Sequence, residues 1–168
     1  MIEVDIQDAE LLRVLRRVIS SVERPRPLMV AIGELVVDST KQRFQTSTGP
    51  DGQRWIENSD VTLLNYLRRY SSTFGKRGGL TKKGITRLAN KKPLIGETKA
   101  LSTRINYQAT NDSVAVGSPE VQAAMLHFGG KKSQFKNLWG DIPARPFLGI
   151  SDSDAGSILD TVADFLSP

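Results

Sequence analysis

The sequence predicts an α+β domain, a small antiparallel sheet flanked by an N-terminal helix pair and a C-terminal helix. Apolar residues recur at helical spacing through the first 48 residues and again after Ser151, and they alternate with a period of two between Ser102 and Val116. The stretch from about Ser71 to Lys92 has neither period. At 168 residues, 39% of them hydrophobic, the chain can bury one core and is read as a single domain over 1–168.

Ile2, Val4 and Ile6 alternate with Glu3 and Asp5, the pattern of a short half-buried strand. Asp8 can then cap a helix whose apolar face is Leu11, Leu12, Val14, Leu15, Val18, Ile19 and Val22, with Arg13, Arg16 and Arg17 outside it. Pro25 and Pro27 end that helix, and a second starts near Leu28, turning Ile32, Leu35, Val36 and Phe44 inward. Pro50-Asp51-Gly52 is a turn in which Pro presets φ, Asp bonds nearby backbone and Gly permits positive φ; Trp55 beyond it caps the core.

Gly75, Gly78, Gly79 and Gly84 are spaced too closely for a long regular element, so about 71–92 is expected to be a mobile basic loop. Ser102 to Ala109, with Ile105 and Tyr107 alternating, pairs with Val114 and Val116 across an Asn111-Asp112 turn. Pro119 and Glu120 open a short helix carrying Val121, Ala124, Met125 and Phe128, ended by Gly129-Gly130. The last helix places Asp152 and Asp154 at its positive end and buries Ile158, Leu159, Val162, Phe165 and Leu166.

The composition excludes much chemistry. With no cysteine there is no thiolate metal site and no cysteine nucleophile, and one histidine, His127, cannot supply a His-rich metal centre. The expectation is a non-enzymatic protein without a cofactor. Its apolar stretches fall far short of the roughly 20 residues of a membrane helix. The acidic N-terminus lacks the pattern of a signal peptide, so the protein is expected to stay in the cytoplasm where it is made. His127, just before two glycines, reads as a helix-end residue that bonds exposed carbonyls. Asp51, Glu57 and Asp60 could be imagined as a Mg²⁺ site of a nuclease, but their spacing matches no ligand loop and a solvated turn is the better reading.

The net charge of +5 is unevenly placed. Between Val61 and Gly96 lie Arg68, Arg69, Lys76, Arg77, Lys82, Lys83, Arg87, Lys91 and Lys92 with no acidic residue, leaving 14 basic against 18 acidic residues elsewhere. This stretch could meet DNA or an acidic protein surface. A nucleic-acid-binding module using residues 61–96 is the alternative reading, with Tyr66, Tyr70 and Phe74 available to stack. The segment Ile142-Pro143-Ala144-Arg145-Pro146-Phe147-Leu148-Gly149 is a rigid strap: two prolines enforce an extended path, Arg145 can grip a carboxylate or carbonyls, and Phe147 can dock into a core or a neighbouring subunit.

Several motifs in order resemble the phage virion morphogenesis family, which includes the tail completion proteins of contractile-tailed phages such as Mu and P2. They are Phe44, Pro50-Asp51-Gly52-x-x-Trp55, Lys92-Pro93-Leu94-Ile95 with Leu101, Val114-Ala115-Val116-Gly117-Ser118, His127-Phe128-Gly129-Gly130 and the strap, and the resemblance runs from about residue 2 to 166. The resemblance implies a structural protein of the virion tail or neck that completes the head-proximal end of the tail and enables head–tail joining. It also implies a homo-oligomer, a hexameric ring, contacting tail tube or terminator proteins and head connector proteins, with passing DNA as a possible contact and no membrane. A closed ring needs two different complementary patches on each subunit, and the strap and the basic loop are the candidates.

Overall fold

The computed structural model describes residues 13, 16, 25–138 and 140–166. The expected opening strand and nearly all of the first helix lie outside the described residues. Arg13 and Arg16 are helical and exposed, in keeping with their assignment to an outward face.

Helix α1, Arg26–Thr46, is the element around which the rest packs: it touches both strands and the C-terminal helix. It begins two residues earlier than expected, because Pro27 in the first turn lacks only an N–H that would have no partner there. Its inward side is a continuous stripe from Leu28 and Met29 through Ile32, Gly33, Val36, Val37 and Thr40 to Arg43 and Phe44. Ser47 ends it in a left-handed conformation (φ 58°), and the N–H groups of Ser47 and Thr48 both return to the Arg43 carbonyl. The chain then reverses through Gly49–Gly52: the Gly52 N–H reaches Gly49 O at 3.1 Å, and Asp51 Oδ1 accepts from the Gln53 N–H at 3.0 Å. A bridge between Thr48 and Arg54 follows, and it lays Trp55 back over Phe44, buried as expected.

Two antiparallel strands, β1 (Asn106–Ala109) and β2 (Val114–Gly117), form the sheet, with Tyr107 opposite Val116 and Ala109 opposite Val114. Tyr107 and Ala109 turn toward the core while Asn106 and Gln108 face out, so the predicted alternation holds. The first strand is shorter than expected, since Ala100–Thr103 is a turn of helix, α4, that buries Leu101. Gly33 lets α1 approach this hairpin: a Cβ there would lie 2.5 Å from Tyr107 Cδ2.

Two helical faces differ from expectation. Helix α5, Ala123–Phe128, buries Ala123 and His127 one turn apart, whereas Val121, Ala124 and Phe128 are exposed. Helix α6, Asp152–Leu166, buries Asp154, Ile158 and Val162, and leaves Leu159, Phe165 and Leu166 exposed among the described residues. In both, the four-residue spacing of the inward line selects a narrower stripe than the full apolar set.

The segment 71–92 contains folded structure in place of the expected loop. Helix α2 (Asp60–Arg68) is capped by Ser59, whose side chain accepts from the Thr62 N–H, and helix α3 (Lys82–Ala89) by Thr81, which accepts from the Gly84 N–H. A bridge between Phe74 and Leu80 joins them. Thr73 is fully buried, and its carbonyl accepts from the Thr81 N–H at 2.9 Å. The close glycine spacing has a steric use here, since a Cβ on Gly84 would stand 2.4 Å from Thr73 O.

Gly84→Ala therefore discriminates a folded unit from a mobile arm. In the interior of α3 the change alone favours the helix by about 1 kcal/mol, and in an unstructured arm it is neutral. Against the Thr73 carbonyl it overpacks, and the expected outcome is a net loss of about 1–3 kcal/mol, read as a lower urea midpoint with an unchanged slope.

Candidate functional site

The motif residues converge on the strap, residues 142–149. Two prolines remove N–H groups from it and deny it helix or sheet, so its remaining polar groups need partners from elsewhere. They find them on four sides. Ile142 exchanges both backbone bonds with Gly130, at 2.8 and 2.9 Å. The Arg145 N–H reaches Leu126 O at 3.0 Å. Trp55 Nε1 donates to Pro146 O at 2.7 Å, and Arg43 Nη1 donates to Phe147 O at 3.1 Å and to Gly149 O at 2.8 Å.

His127 Nδ1 faces the N–H groups of Phe147 and Leu148, at 3.3 and 3.5 Å. It is an acceptor of backbone N–H and not, as expected, a donor to helix-end carbonyls. That role requires an unprotonated Nδ1, and burial lowers the His127 pKa in agreement. Phe147 is fully buried, which places it in the core and not at an interface between subunits. Its ring lies 5.3 Å from that of Phe44 and 5.1 Å from His127, and Phe44 in turn meets Trp55 edge-on at 5.3 Å.

Arg145 does what its fork geometry suggested, gripping carbonyls. Nε donates to Ile56 O at 2.7 Å and Nη2 to Glu57 O at 2.9 Å, which ties the strap to the segment after the Pro50-Asp51-Gly52 turn. Gly129 (φ 75°) is the tight point of His127-Phe128-Gly129-Gly130, because a Cβ would come within 2.7 Å of Ala144 N. Phe128 itself is exposed, its ring edge-on to His127. Pro50 packs against the end of the strap, where Gly149 has room for no side chain.

One buried constellation escaped the sequence reading. Arg43 Nη2 pairs with Asp154 Oδ2, and Ser39 Oγ donates to Asp154 Oδ1. Burial raises the Asp154 pKa, but hydrogen bonds from Ser39, from the Ser151 N–H and hydroxyl, and the Arg43 charge together outweigh it and hold the carboxyl below its usual range. Arg43 thus binds α1, the strap and the N-terminus of α6 in one knot. The available signal was the break in the stripe: Arg43 stands where the periodicity of α1 calls for an apolar residue, beside Phe44.

The nine basic residues divide into two groups. Arg87 lies over the Tyr70 ring (4.5 Å) and donates to Ser72 and Thr73, each at 3.1 Å. Lys91 lies over Tyr66 (5.0 Å) and bonds the Ile95 carbonyl; burial lowers its pKa, with Glu97 opposing. Arg69 pairs with Glu97 at 3.2 Å, and Lys92 reaches Gln45 O at 2.5 Å. Arg68, Lys76, Arg77, Lys82 and Lys83 are exposed and have no such partner among the described residues. Asp51, Glu57 and Asp60 are not brought together: Asp51 closes its turn, Asp60 sits in the first turn of α2, and Glu57 contributes its carbonyl to Arg145. A mainly apolar groove of about 570 Å³ runs beside the strap, lined by Leu94, Ile95, Leu101 and Leu126 and by Asn58, whose Nδ2 has no partner among the described residues.

Two predictions follow from the buried contacts. Arg43→Ala leaves Asp154 buried without its counter-charge, and is expected to cost about 3–5 kcal/mol in urea unfolding, whereas Arg43→Met with Asp154→Leu costs less because no charge is stranded. The folded-state pKa of His127 lies below its ordinary 6.5, so the unfolded chain binds the extra proton. Stability is then level above about pH 7 and falls as pH drops from 6.5 through the folded value, and unfolding midpoints against pH should lose that fall in His127→Asn, whose Oδ1 can accept without titrating.

The model of the phage virion morphogenesis family matches positions 6–167. The chain is 26% identical over 166 residues to Mu-like prophage FluMu G protein 2 of Haemophilus influenzae, covering 98% of this chain and 96% of that protein. No solved structure matches.

Proposed function

We propose, for a chain that belongs to the phage virion morphogenesis family, a specific place in assembly: completion of the head-proximal end of the tail, so that a filled head can join it. The broader role, virion assembly in a phage or prophage, comes with the family itself. The observation that carries the proposal is the extent of the match, positions 6–167, a span that contains the Pro50-Asp51-Gly52 turn, the His127-Phe128-Gly129-Gly130 corner and the strap. In this reading the protein is structural, acts in the tail or neck, and assembles as a ring between tail tube or terminator proteins and the head connector.

Geometry constrains how such a ring is built. The strap is spent on the core, so the two complementary patches of a closed ring lie elsewhere. Val121, just before α5, and Phe128, at its end, carry large exposed apolar side chains, and Ile56, whose carbonyl Arg145 holds, exposes its own. These supply apolar contact between subunits. Subunits that associate weakly alone gain a ring by mass action once the tail end templates them.

Electron microscopy of lysates from a phage or prophage lacking this gene tests the proposal. Filled heads and unattached tails, restored to whole virions by the supplied protein, are the expected outcome. Intact virions that fail in DNA delivery or replication would overturn it.

A further inference from the structure

We infer that the α2–α3 unit is a DNA-contacting surface that grips phosphates without reading sequence, using Arg68, Lys76, Arg77, Lys82 and Lys83. This goes beyond the role in tail completion and does not depend on it. Between the two helices the chain reverses in a tight turn. The Gly78 N–H reaches Gly75 O at 2.9 Å and the Gly75 N–H reaches Gly79 O at 2.8 Å, so Gly75-Lys76-Arg77-Gly78 is a tight turn with two adjacent cations at its tip. Nothing stands within 4 Å of where a Cβ would project from Gly78 or Gly79, which leaves the backbone there open to close approach.

Lys82 and Lys83 follow in the first turn of α3, with no acidic residue beside them. That is the helix end whose dipole already repels cations, so the free protein holds positive potential there that an arriving polyanion relieves. Arg68 adds a fifth charge at the end of α2. The other four basic residues of the stretch serve the unit itself, Arg87 and Lys91 over tyrosines, Arg69 on Glu97 and Lys92 on a carbonyl. They make the tip a supported feature and not a flexible arm.

The same contacts decide which polyanion. Tyr66 and Tyr70 have cations over their rings and pack against each other at 5.4 Å, and Phe74 is half-buried at the bridge to Leu80, so the aromatics named for stacking are engaged within the unit. Recognition is left to the phosphates, which carry affinity but no sequence information. An acidic protein surface would need an apolar centre as well; the unit exposes four large apolar side chains, Val61 and Leu64 on α2 and Leu80 and Ile85 near the tip, fewer than the apolar centre of a stable interface uses.

Purified full-length protein is titrated against two unrelated double-stranded DNAs by fluorescence anisotropy over a salt series. Five phosphate contacts predict a slope of about −4.5 in log K against log salt, hence roughly a 500-fold loss between about 50 and 200 mM, the same for both sequences. K76A/R77A/K82A/K83A, checked for unchanged thermal unfolding, should bring the slope to about −1. A control with the same kind of exposed lysines, K131A/K136A, should leave it near the wild-type value. An unchanged slope in the fourfold variant, an equal drop in the control, or no binding by wild type at low salt overturns the inference. If wild type binds no DNA and the fourfold variant still blocks head–tail joining, the surface belongs to an acidic protein instead. Failure of the lysate test leaves the salt dependence untouched, so the two proposals fall separately.

Discussion

An extended segment whose side chains are partly buried carries carbonyls and N–H groups that no helix or sheet of its own will satisfy, and in this protein residues 142–149 are such a segment, with Arg145, Phe147 and Leu148 buried and Ala144 and Pro146 exposed. Each unmatched group would cost on the order of 1–3 kcal/mol. Arg43 meets two of the carbonyls and, through Asp154, anchors α6 to the same point. Trp55 meets a third carbonyl, His127 accepts from two of the N–H groups, and Arg145 reaches outward to hold the segment that brings Trp55 into place. The positions of α1, α5, α6 and the Pro50-Asp51-Gly52 turn relative to one another are the arrangement in which these obligations are met together.

This makes the most distinctive sequence motifs internal. Phe147 and Arg145 are buried, and Gly129 is held to positive φ by the backbone of the strap. Motifs that fix a scaffold leave the surface free to vary with the partner. The surface on offer is of two kinds: exposed apolar residues around α5, and a cationic turn raised on two short helices. Neither overlaps the buried knot, so partner contacts can change without loosening the frame.

The α2–α3 unit shows how a charge run can be misread from composition. Glycine, lysine and threonine at high density suggest a chain that cannot bury enough to fold. What folds it is a set of contacts that composition does not weigh: two tyrosines bearing cations, a buried Thr73, and Ser59 and Thr81 as caps. The glycine at 84 is the place where a helix needs to lie against a carbonyl, and its neighbours at 78 and 79 shape a turn.

Local rules made much of this protein legible in its sequence. Periodicity located α1, the hairpin and α6; proline and glycine marked the turn at 50–52 and the corner at 129; and the residue types of the strap foretold an arginine holding carbonyls. These depend on neighbours three or four positions apart, or on the φ preference of one residue. The tertiary structure alone decided the rest. Arg43 and Asp154 are 111 residues apart and meet at a distance no local pattern encodes. Whether His127 donates or accepts depended on which backbone groups the strap presents, and which apolar residues of α5 and α6 are buried depended on the narrow line each shows to its neighbours. Pairing across long sequence separation is set by the whole packing at once, and that is where sequence reading stopped.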